Sequence, residues 1–238
     1  MSSSPAIERL PDNCGIVVLC GGGSTRMGID KSELLIDNST TFLQKIVQQA
    51  TKLADQIVIA VGSGQLVRYK QRYGDCQTLQ QAIWIEDHVS NQGPMEGIHQ
   101  GLKTLAEKFP DCEYAFVTSC DVPELNGNLI MALLNKIGDH DAVTPVDGKR
   151  IYGMTAVYKT HVWQNAKRNV AQQQLRVSAL ATSINATTVD VGELTAYDAR
   201  LNAFENINTP DDYFGFLTKN DIPCTPEMKQ QFAPRPQQ

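Results

Sequence analysis

Residues 15–31 read Gly15-Ile-Val-Val-Leu-Cys-Gly-Gly-Gly-Ser-Thr-Arg-Met-Gly-Ile-Asp-Lys31, a short apolar strand that runs into three consecutive glycines. Glycines at the end of a strand let backbone N–H groups approach a phosphate closely, because they carry no Cβ. Arg26 and Lys31 follow shortly afterwards, and their charges can neutralise phosphate oxygens. The stretch therefore predicts a nucleoside triphosphate bound at the carboxyl end of a strand.

Two better-known phosphate motifs do not fit this stretch. In a Walker loop a Lys would follow Gly28 directly, but Ile29 and Asp30 intervene before Lys31. In a dinucleotide fingerprint a third glycine would stand where Arg26 is found. The plain alternative is a glycine-rich turn with solvated charges, which the close spacing of Gly, Arg and Lys disfavours.

Composition excludes several classes of protein. The chain has 238 residues, a net charge of −5 and a pI near 5.4, which argues against a broad nucleic-acid surface. No apolar run approaches the roughly 20 residues that a membrane helix needs. The six cysteines form no Cys-x-x-Cys pair, which is typical of a reduced compartment. We expect a cytoplasmic protein that binds neither nucleic acid nor a membrane.

Strand-like and helix-like segments alternate along residues 15–145. This pattern predicts an α/β fold of the Rossmann-like class, with a mostly parallel central sheet and helices on both faces. A further strand is expected over Ile151–Val157, and Thr209 with Pro210 predicts the start of a late helix. We expect one domain over 14–219, with flexible tails at 1–13 and 220–238.

Candidate ligand-binding residues follow three predicted strands, at 21–31, 86–97 and 120–123. Asp121 leaves the strand Tyr114–Ser119 and is suited to hold Mg²⁺ against a triphosphate, although a turn-forming aspartate is the alternative. Asp87 precedes Gly93-Pro-Met-Glu-Gly97 and can accept hydrogen bonds from a nucleoside, although a polar loop before a capped helix is the less favoured alternative. Ligands of such folds bind outside the carboxyl ends of strands.

Four motifs together resemble those of the molybdenum cofactor guanylyltransferases, a family of the nucleotidyltransferase superfamily. Leu19-Cys-Gly-Gly-Gly-Ser-Thr-Arg-Met-Gly-Ile-Asp-Lys31 looks like their Leu-Ala-Gly-Gly-x-Ser-x-Arg-Met-Gly-x-Asp-Lys signature. Gly93-Pro-Met-Glu-Gly-Ile98 and Cys120-Asp-Val-Pro123 look like their Gly-Pro-Leu-x-Gly-Ile and Cys-Asp-x-Pro segments. Asn206-Ile-Asn-Thr-Pro-Asp-Asp212 looks like their Asn-x-Asn-Thr-Pro-Glu-Asp run. Order and spacing match across roughly residues 15–218.

The resemblance implies transfer of GMP from Mg²⁺-GTP to the terminal phosphate of molybdopterin or the molybdenum cofactor, with release of pyrophosphate. It divides the domain into a nucleotide-binding half, 14–145, and an acceptor-binding half, 146–219. It also implies delivery of the product to a molybdoenzyme or its chaperone as a further partner.

The resemblance also implies roles for individual residues. Arg26, Lys31 and Asp121 would be catalytic, with Arg26 and Lys31 on the phosphates and Asp121 on magnesium. Asp87 would contact the nucleoside, and Asn206 and Asn208 would face the acceptor. The remaining nucleotide-binding positions would be Leu19, Cys20, Gly21, Gly22, Gly23, Gly93 and Gly97.

The chain departs from the family pattern at three places. Cys20 replaces an alanine, Glu96 stands where a small or apolar residue is usual, and the Pro-Leu pair expected around Tyr152-Gly-Met-Thr155 is missing. Two alternatives therefore stay open. One is a related nucleotidyltransferase that uses CTP or another phosphate acceptor, and the other is a non-catalytic module that binds GTP or the pterin and delivers it.

Overall fold

The computed structural model describes residues 9–21, 27–90, 92–122 and 124–232. The strands are β1 (Cys14–Cys20), β2 (Ile57–Val61), β3 (Ile83–Glu86), β4 (Tyr114–Ser119), β5 (Ala142–Asp147), β6 (Arg150–Ile151), β7 (Ala156–Lys159) and β8 (Ala186–Asp190). The α-helices are α1 (Phe42–Leu53), α2 (Leu66–Tyr73), α3 (Gln77–Gln80), α4 (Gly93–Lys108), α5 (Gly127–Leu134), α6 (Trp163–Ala171), α7 (Val177–Thr182), α8 (Pro210–Lys219) and α9 (Pro226–Gln230). Short 3₁₀ helices span Lys31–Glu33, Thr160–Val162, Val191–Ala196 and Asn202–Phe204.

The described strands form one sheet in the order β3-β2-β1-β4-β7-β5-β6, with β8 paired to β5. Strand β1 pairs in parallel with β2 and β4, so that Val17 stands between Val58 and Val117. Strand β7 runs antiparallel to both of its neighbours, β4 and β5. The carboxyl ends of β1, β3 and β4 therefore meet at one edge of the sheet, as the sequence predicts.

Helices cover both faces of the sheet, because successive side chains of a strand point to opposite sides. Ile16 and Val18 of β1 belong to the apolar cluster that includes residues of α1 and α5. Val17 and Leu19 belong to a second cluster, which includes residues of α4 and α6. The predicted α/β fold with a mostly parallel, doubly covered sheet is confirmed.

Helix α4 lies very close to β1. A Cβ at Gly101 would stand 2.4 Å from Val17 Cγ1, and one at Gly97 would stand 3.0 Å from Leu19 Cδ2. Two glycines one helical turn apart thus let the helix backbone approach the strand. This close packing fixes the beginning of α4 beside the carboxyl end of β1.

The region after β5 differs from the single strand expected over Ile151–Val157. The chain instead forms the short strand β6, a turn, and then β7. In the turn, the backbone N–H of Thr155 donates to the carbonyl of Tyr152 at 3.0 Å. The Tyr158 hydroxyl donates to the carbonyl of Gly153 at 2.8 Å and ties the turn to β7. Helix α8 begins as predicted, because Thr209 accepts from the N–H of Asp212 in a reciprocal cap.

The expected C-terminal tail is wrong over residues 220–232, which pack against the domain. Met228 is fully buried in an apolar cluster with Phe42 and Phe216. The side chain of Gln231 donates to the carbonyl of Glu33 at 2.9 Å and accepts from the N–H of Leu35 at 3.1 Å. The sequence does not indicate this packing, because only a few apolar residues of the segment make the contacts. Residues 233–238 lie outside the described part of the chain.

The expected N-terminal tail also ends earlier than residue 13. Leu10 is buried, and its N–H donates to the carbonyl of Leu53 at 2.9 Å. Residues 1–8 lie outside the described part. Among the described residues, no helix combines the length and apolar character that a bilayer crossing requires.

We predict that Met228→Ala lowers the free energy of unfolding by about 2 kcal/mol, since it leaves a cavity in an apolar cluster. Urea unfolding of the full chain measures this loss. Lys229→Ala, on the exposed side of the same helix, is the matched control and should change stability by less than about 0.5 kcal/mol. Equal stability of the two variants would contradict the packing of the C-terminal segment.

Candidate active site

A cleft opens at the carboxyl ends of β1 and β4. Of the predicted nucleotide-binding residues, Leu19, Cys20, Gly21 and Lys31 line it, together with the predicted magnesium ligand Asp121. Residues that the sequence analysis did not select also line it: Asp30, Pro94, Ser119, Cys120 and Met154. The fold therefore brings Gly21, at the start of the glycine-rich segment, and the aspartate after β4 to one place.

Lys31 is the centre of the polar groups in this cleft. Its Nζ lies 2.9 Å from Asp121 Oδ2 and donates to Asn208 Oδ1 at 2.7 Å. The Lys31 and Asp121 side chains are 18% and 14% exposed, so the pair is largely shielded from solvent. Three segments that are far apart in sequence thus place one cation between two oxygen atoms.

Neighbouring groups fix the orientation of Asp121 and Asn208. The Ser119 hydroxyl donates to Asp121 Oδ1, and the N–H of Ile207 donates to the carbonyl of Asp121 at 3.0 Å. The N–H of Asn208 donates to Asp212 Oδ2 at 2.9 Å, in the cap of α8. These hydrogen bonds therefore hold the Asn-x-Asn-Thr-Pro segment and the end of β4 in fixed positions relative to each other.

Asp30 holds the backbone on which Lys31 sits. Its Oδ1 accepts from the N–H of Ser32 at 3.1 Å and so caps the 3₁₀ helix Lys31–Glu33. Its Oδ2 accepts from the Tyr69 hydroxyl at 2.9 Å and pairs with Arg68. The signal for this role was the Asp-x-Ser spacing, which is typical of a helix cap.

The close approach of the Gly62 backbone explains why residue 21 is a glycine, without reference to a ligand. A Cβ there would stand 3.0 Å from the backbone N of Gly62, which is closer than such contacts normally allow. Cys20, beside it, is buried, and this burial raises the pKa of its thiol well above the usual value. The predicted phosphate-binding residues Gly22, Gly23 and Arg26 lie outside the described residues.

Asp87 marks a second part of the site, on the other side of Leu19. Gly97 lies between them, because a Cβ there would stand 3.7 Å from Asp87 Oδ1. That oxygen is buried and has no hydrogen-bond partner among the described residues. Burial, followed by the nearby charges of Glu96 and Glu86, raises the pKa of Asp87 to about 7. Gly93 begins α4 with a φ of +59°, a conformation that glycine adopts easily.

The predicted acceptor residues Asn206 and Asn208 border a further open cleft, which Arg150 and Tyr152 also line. The Arg150 guanidinium lies 4.5 Å from the centre of the Tyr152 ring. The ring of Phe204 meets that of Tyr152 edge-on at 5.1 Å. Arg200 and Lys219, and the carboxylates Asp147, Glu205 and Asp212, line it as well, so this cleft combines amide groups, charges of both signs and an aromatic surface.

Gly153 and Met154 stand immediately before β7, where the Pro-Leu pair is missing. A Cβ at Gly153 would lie 2.3 Å from Val177 Cγ1, so the packing of α7 allows no side chain there. Met154 follows and lines the Lys31–Asp121 cleft. Local packing at Gly153 is thus consistent with the absence of the Pro-Leu pair from this chain.

Comparison with known proteins gives consistent matches. The family described as "MobA-like NTP transferase domain" matches residues 16–186. A protein of Natranaerobius thermophilus named "Probable molybdenum cofactor guanylyltransferase" is 25% identical over 205 residues, covering 85% of this chain and 94% of that protein. A molybdenum cofactor guanylyltransferase of Desulfosudis oleivorans is 25% identical over 197 residues, covering 82% and 90%. The crystal structure of molybdopterin-guanine dinucleotide biosynthesis protein A from Archaeoglobus fulgidus matches with a TM-score of 0.71 and 22% identity, covering 87% of this chain and 98% of that one.

We predict that Asp87→Asn stabilises the protein at alkaline pH. Because the pKa of Asp87 is raised on folding, the folded state binds its proton more tightly than the unfolded chain does, and stability falls as the pH rises towards 7. Asn carries no charge, so the variant should raise the Tm at pH 8 by about 2–4 °C, and by less at pH 5. Calorimetric melting at both pH values measures the difference.

Asp75→Asn, at an exposed position, is the control for this comparison. The same Tm difference at pH 5 and pH 8 for Asp87→Asn would show that the Asp87 carboxyl has an ordinary pKa.

Proposed function

The chain belongs to the MobA-like NTP transferase domain family and is a nucleotidyltransferase; on this premise we propose that it transfers GMP from GTP to the terminal phosphate of molybdopterin. Pyrophosphate is the second product. The names of the curated relatives support the choice of nucleotide and acceptor. The observation that carries the chemistry is the Lys31 ammonium held between Asp121 and Asn208 in a cleft at the strand ends.

The reaction is the attack of an acceptor phosphate oxygen on the α-phosphorus of the nucleotide. The attacking phosphate is already anionic, so it needs no general base. Such a transfer depends chiefly on positioning and on neutralising negative charge. Lys31 supplies charge on the nucleotide side, and its capped backbone keeps it in the cleft. In this proposal Arg26 adds a second cation.

Asp121 and Asn208 fit a magnesium ion. Their side-chain oxygens surround the Lys31 ammonium, and a carboxylate with few other protein oxygens is the donor set that Mg²⁺ uses beside phosphates. Among the described residues, no cluster of three or more acidic, His or Cys side chains offers a fuller cage. When bound, the ion would neutralise charge on the triphosphate and on the leaving pyrophosphate. The Lys31 ammonium, beside the oxygens of Asp121 and Asn208, would bind phosphate oxygens of the nucleotide.

Asp87, Leu19 and Gly97 form the nucleoside end in this proposal. Gly97 leaves room because it carries no side chain, and Leu19 offers an apolar surface. The unpartnered Asp87 Oδ1 can accept a hydrogen bond. Guanine N1–H, its 2-amino group and the ribose hydroxyls are all suitable donors.

The cleft beside Asn206 and Asn208 is the proposed acceptor site. Amide groups and the Arg150 guanidinium are suited to an anionic phosphate, and the Tyr152 ring is suited to a flat heterocycle. The cleft adjoins Lys31 through Asn208, so an acceptor phosphate there would lie near the nucleotide.

Calorimetric titration with GTP, CTP, ATP and UTP, each with Mg²⁺, tests the nucleotide. The proposal expects GTP to bind most tightly, and Asp121→Ala to weaken that binding. Preference for CTP would indicate a related transferase with another acceptor. Binding without pyrophosphate release, after molybdopterin is added, would indicate a delivery module instead.

We predict that Lys31→Ala and Asp121→Ala each lower turnover by about two decades or more, because each removes charge that stabilises the transition state. Release of pyrophosphate from GTP and molybdopterin is the measurement. Lys52→Ala, at an exposed position on α1, is the matched control and should keep normal turnover. Near-normal turnover of Asp121→Ala in a folded protein would contradict the assignment of the cleft.

A further inference from the structure

The first turn of α4 carries a buried carboxylate that the phosphate cleft does not use. Glu96 is 2% exposed. Its Oε1 accepts from Gln100 Nε2 at 2.8 Å, and its Oε2 lies 3.2 Å from His99 Nδ1. Burial disfavours the charged form, but the hydrogen bonds from His99 and Gln100 outweigh it and hold the pKa of Glu96 below its usual value. An ionised carboxylate is thus kept inside the protein.

Packing against helix α6 orients the His99 side chain towards Glu96. The imidazole is packed against the Trp163 ring of α6 at 6.1 Å and nearly parallel to it. Its Nδ1 is placed to donate to Glu96, and its Nε2 is buried without a partner among the described residues. The packing between α4 and α6 therefore holds the imidazole in the orientation that serves Glu96.

The same network reaches the loop that carries Asp87. Gln100 Nε2, which donates to Glu96, also lies 3.1 Å from the Nδ1 of His88. The backbone N–H of His88 points to the Glu96 carboxylate as well. His88 directly follows Asp87, so Glu96 connects the first turns of α4 to the backbone beside the nucleoside-binding carboxyl.

The charged groups that act on Asp87 are carboxylates, and its other neighbours are an imidazole and apolar side chains. Glu96 faces it from α4, and Glu86 precedes it on β3, with its own Oε1 bonded to the N–H of Leu66 at 3.0 Å. His88 is the nearby imidazole in the loop, and it is bonded to Gln100. Across Gly97 lie the apolar side chains of Leu19 and Ala60. No cation pairs with Asp87 among the described residues, so the negative charge of Glu96 disfavours the ionised form of Asp87.

Resting on the proposed function, we propose that Glu96 is a positioning and specificity-determining residue for the nucleoside. Its ionised carboxylate fixes the loop at His88 and controls how readily Asp87 accepts a hydrogen bond from the base or ribose. The groups that Asp87 would meet are donors, and they bind more strongly to its ionised form than to its protonated form. Nucleotide affinity should therefore rise with pH around neutrality, by an amount that Glu96 sets.

Glu96→Gln separates this role from simple packing, because the two side chains have nearly the same shape. Loss of the negative charge lets Asp87 ionise at lower pH. If its midpoint falls by one unit, the variant should bind Mg²⁺-GTP about fivefold more tightly than the wild type at pH 6, and about equally at pH 8. A purely structural role would weaken binding at both pH values instead.

Two measurements on the full chain test the proposal. Carboxyl ¹³C NMR follows the titration of Asp87, with its signal identified by Asp87→Asn, and calorimetry follows Mg²⁺-GTP binding at pH 6, 7 and 8. Glu107→Gln is the matched control, because it makes the same change on the exposed end of α4. We expect the Asp87 midpoint to fall in Glu96→Gln and to stay unchanged in Glu107→Gln.

The NMR measurement needs no nucleotide, so the two possible failures can be told apart. An unchanged Asp87 midpoint in Glu96→Gln overturns the inference whatever GTP does. Normal GTP binding with the same pH dependence in both proteins also overturns it and leaves the proposed function intact. Failure of the wild type to bind GTP overturns the proposed function and the nucleoside role of Glu96 together.

If Glu96→Gln does not fold, Gln100→Met provides the second variant. It breaks the link to His88 while the Glu96 charge stays. Hydrogen exchange in the loop after β3 should become faster, and GTP binding at pH 8 should weaken several-fold. Unchanged exchange and binding would overturn the positioning role.

Discussion

The site depends on the parallel pairing of β1 with both β2 and β4. Because Val17 lies between Val58 and Val117, the carboxyl ends of these strands are fixed at one edge of the sheet. The chain must leave each strand there, and the loops that follow carry Lys31 and Asp121. Close packing on the faces of the sheet favours this register, since a slip by one residue would move Val17 and Leu19 away from Gly101 and Gly97 of α4.

A charged pair in a shielded cleft is stable only when its remaining hydrogen bonds are satisfied. Here Asn208 shares the Lys31 ammonium, and Ser119 donates to Asp121. The cleft thus holds the Lys31 cation between oxygen acceptors, at the place where the proposed function needs a metal ion and phosphate charge to meet. On the nucleoside side a carboxylate lies near other carboxylates instead of a cation. Asp87 lies near the charges of Glu96 and Glu86, and its buried Oδ1 has no hydrogen-bond partner in the part of the chain that the structure describes.

Local patterns predicted much of this structure. The apolar strand β1 and the Thr209-Pro210 helix start follow from short-range chemistry, and the resemblance in four motifs agrees with the family match. Contacts between distant segments could not be predicted in this way. The burial of Met228 depends on a cluster built by several helices, and the role of Glu96 depends on how the loop at His88 folds back onto α4. The site assignments from the resemblance remain predictions.

The most direct test of the proposed reaction follows the α-phosphorus of GTP. The protein is incubated with α-³²P-labelled GTP, Mg²⁺ and molybdopterin, and the products are separated. The account predicts that the label moves into the pterin dinucleotide while unlabelled pyrophosphate is released. Label that stays in GTP, or that leaves as free GMP or GDP, would contradict transfer to a pterin acceptor.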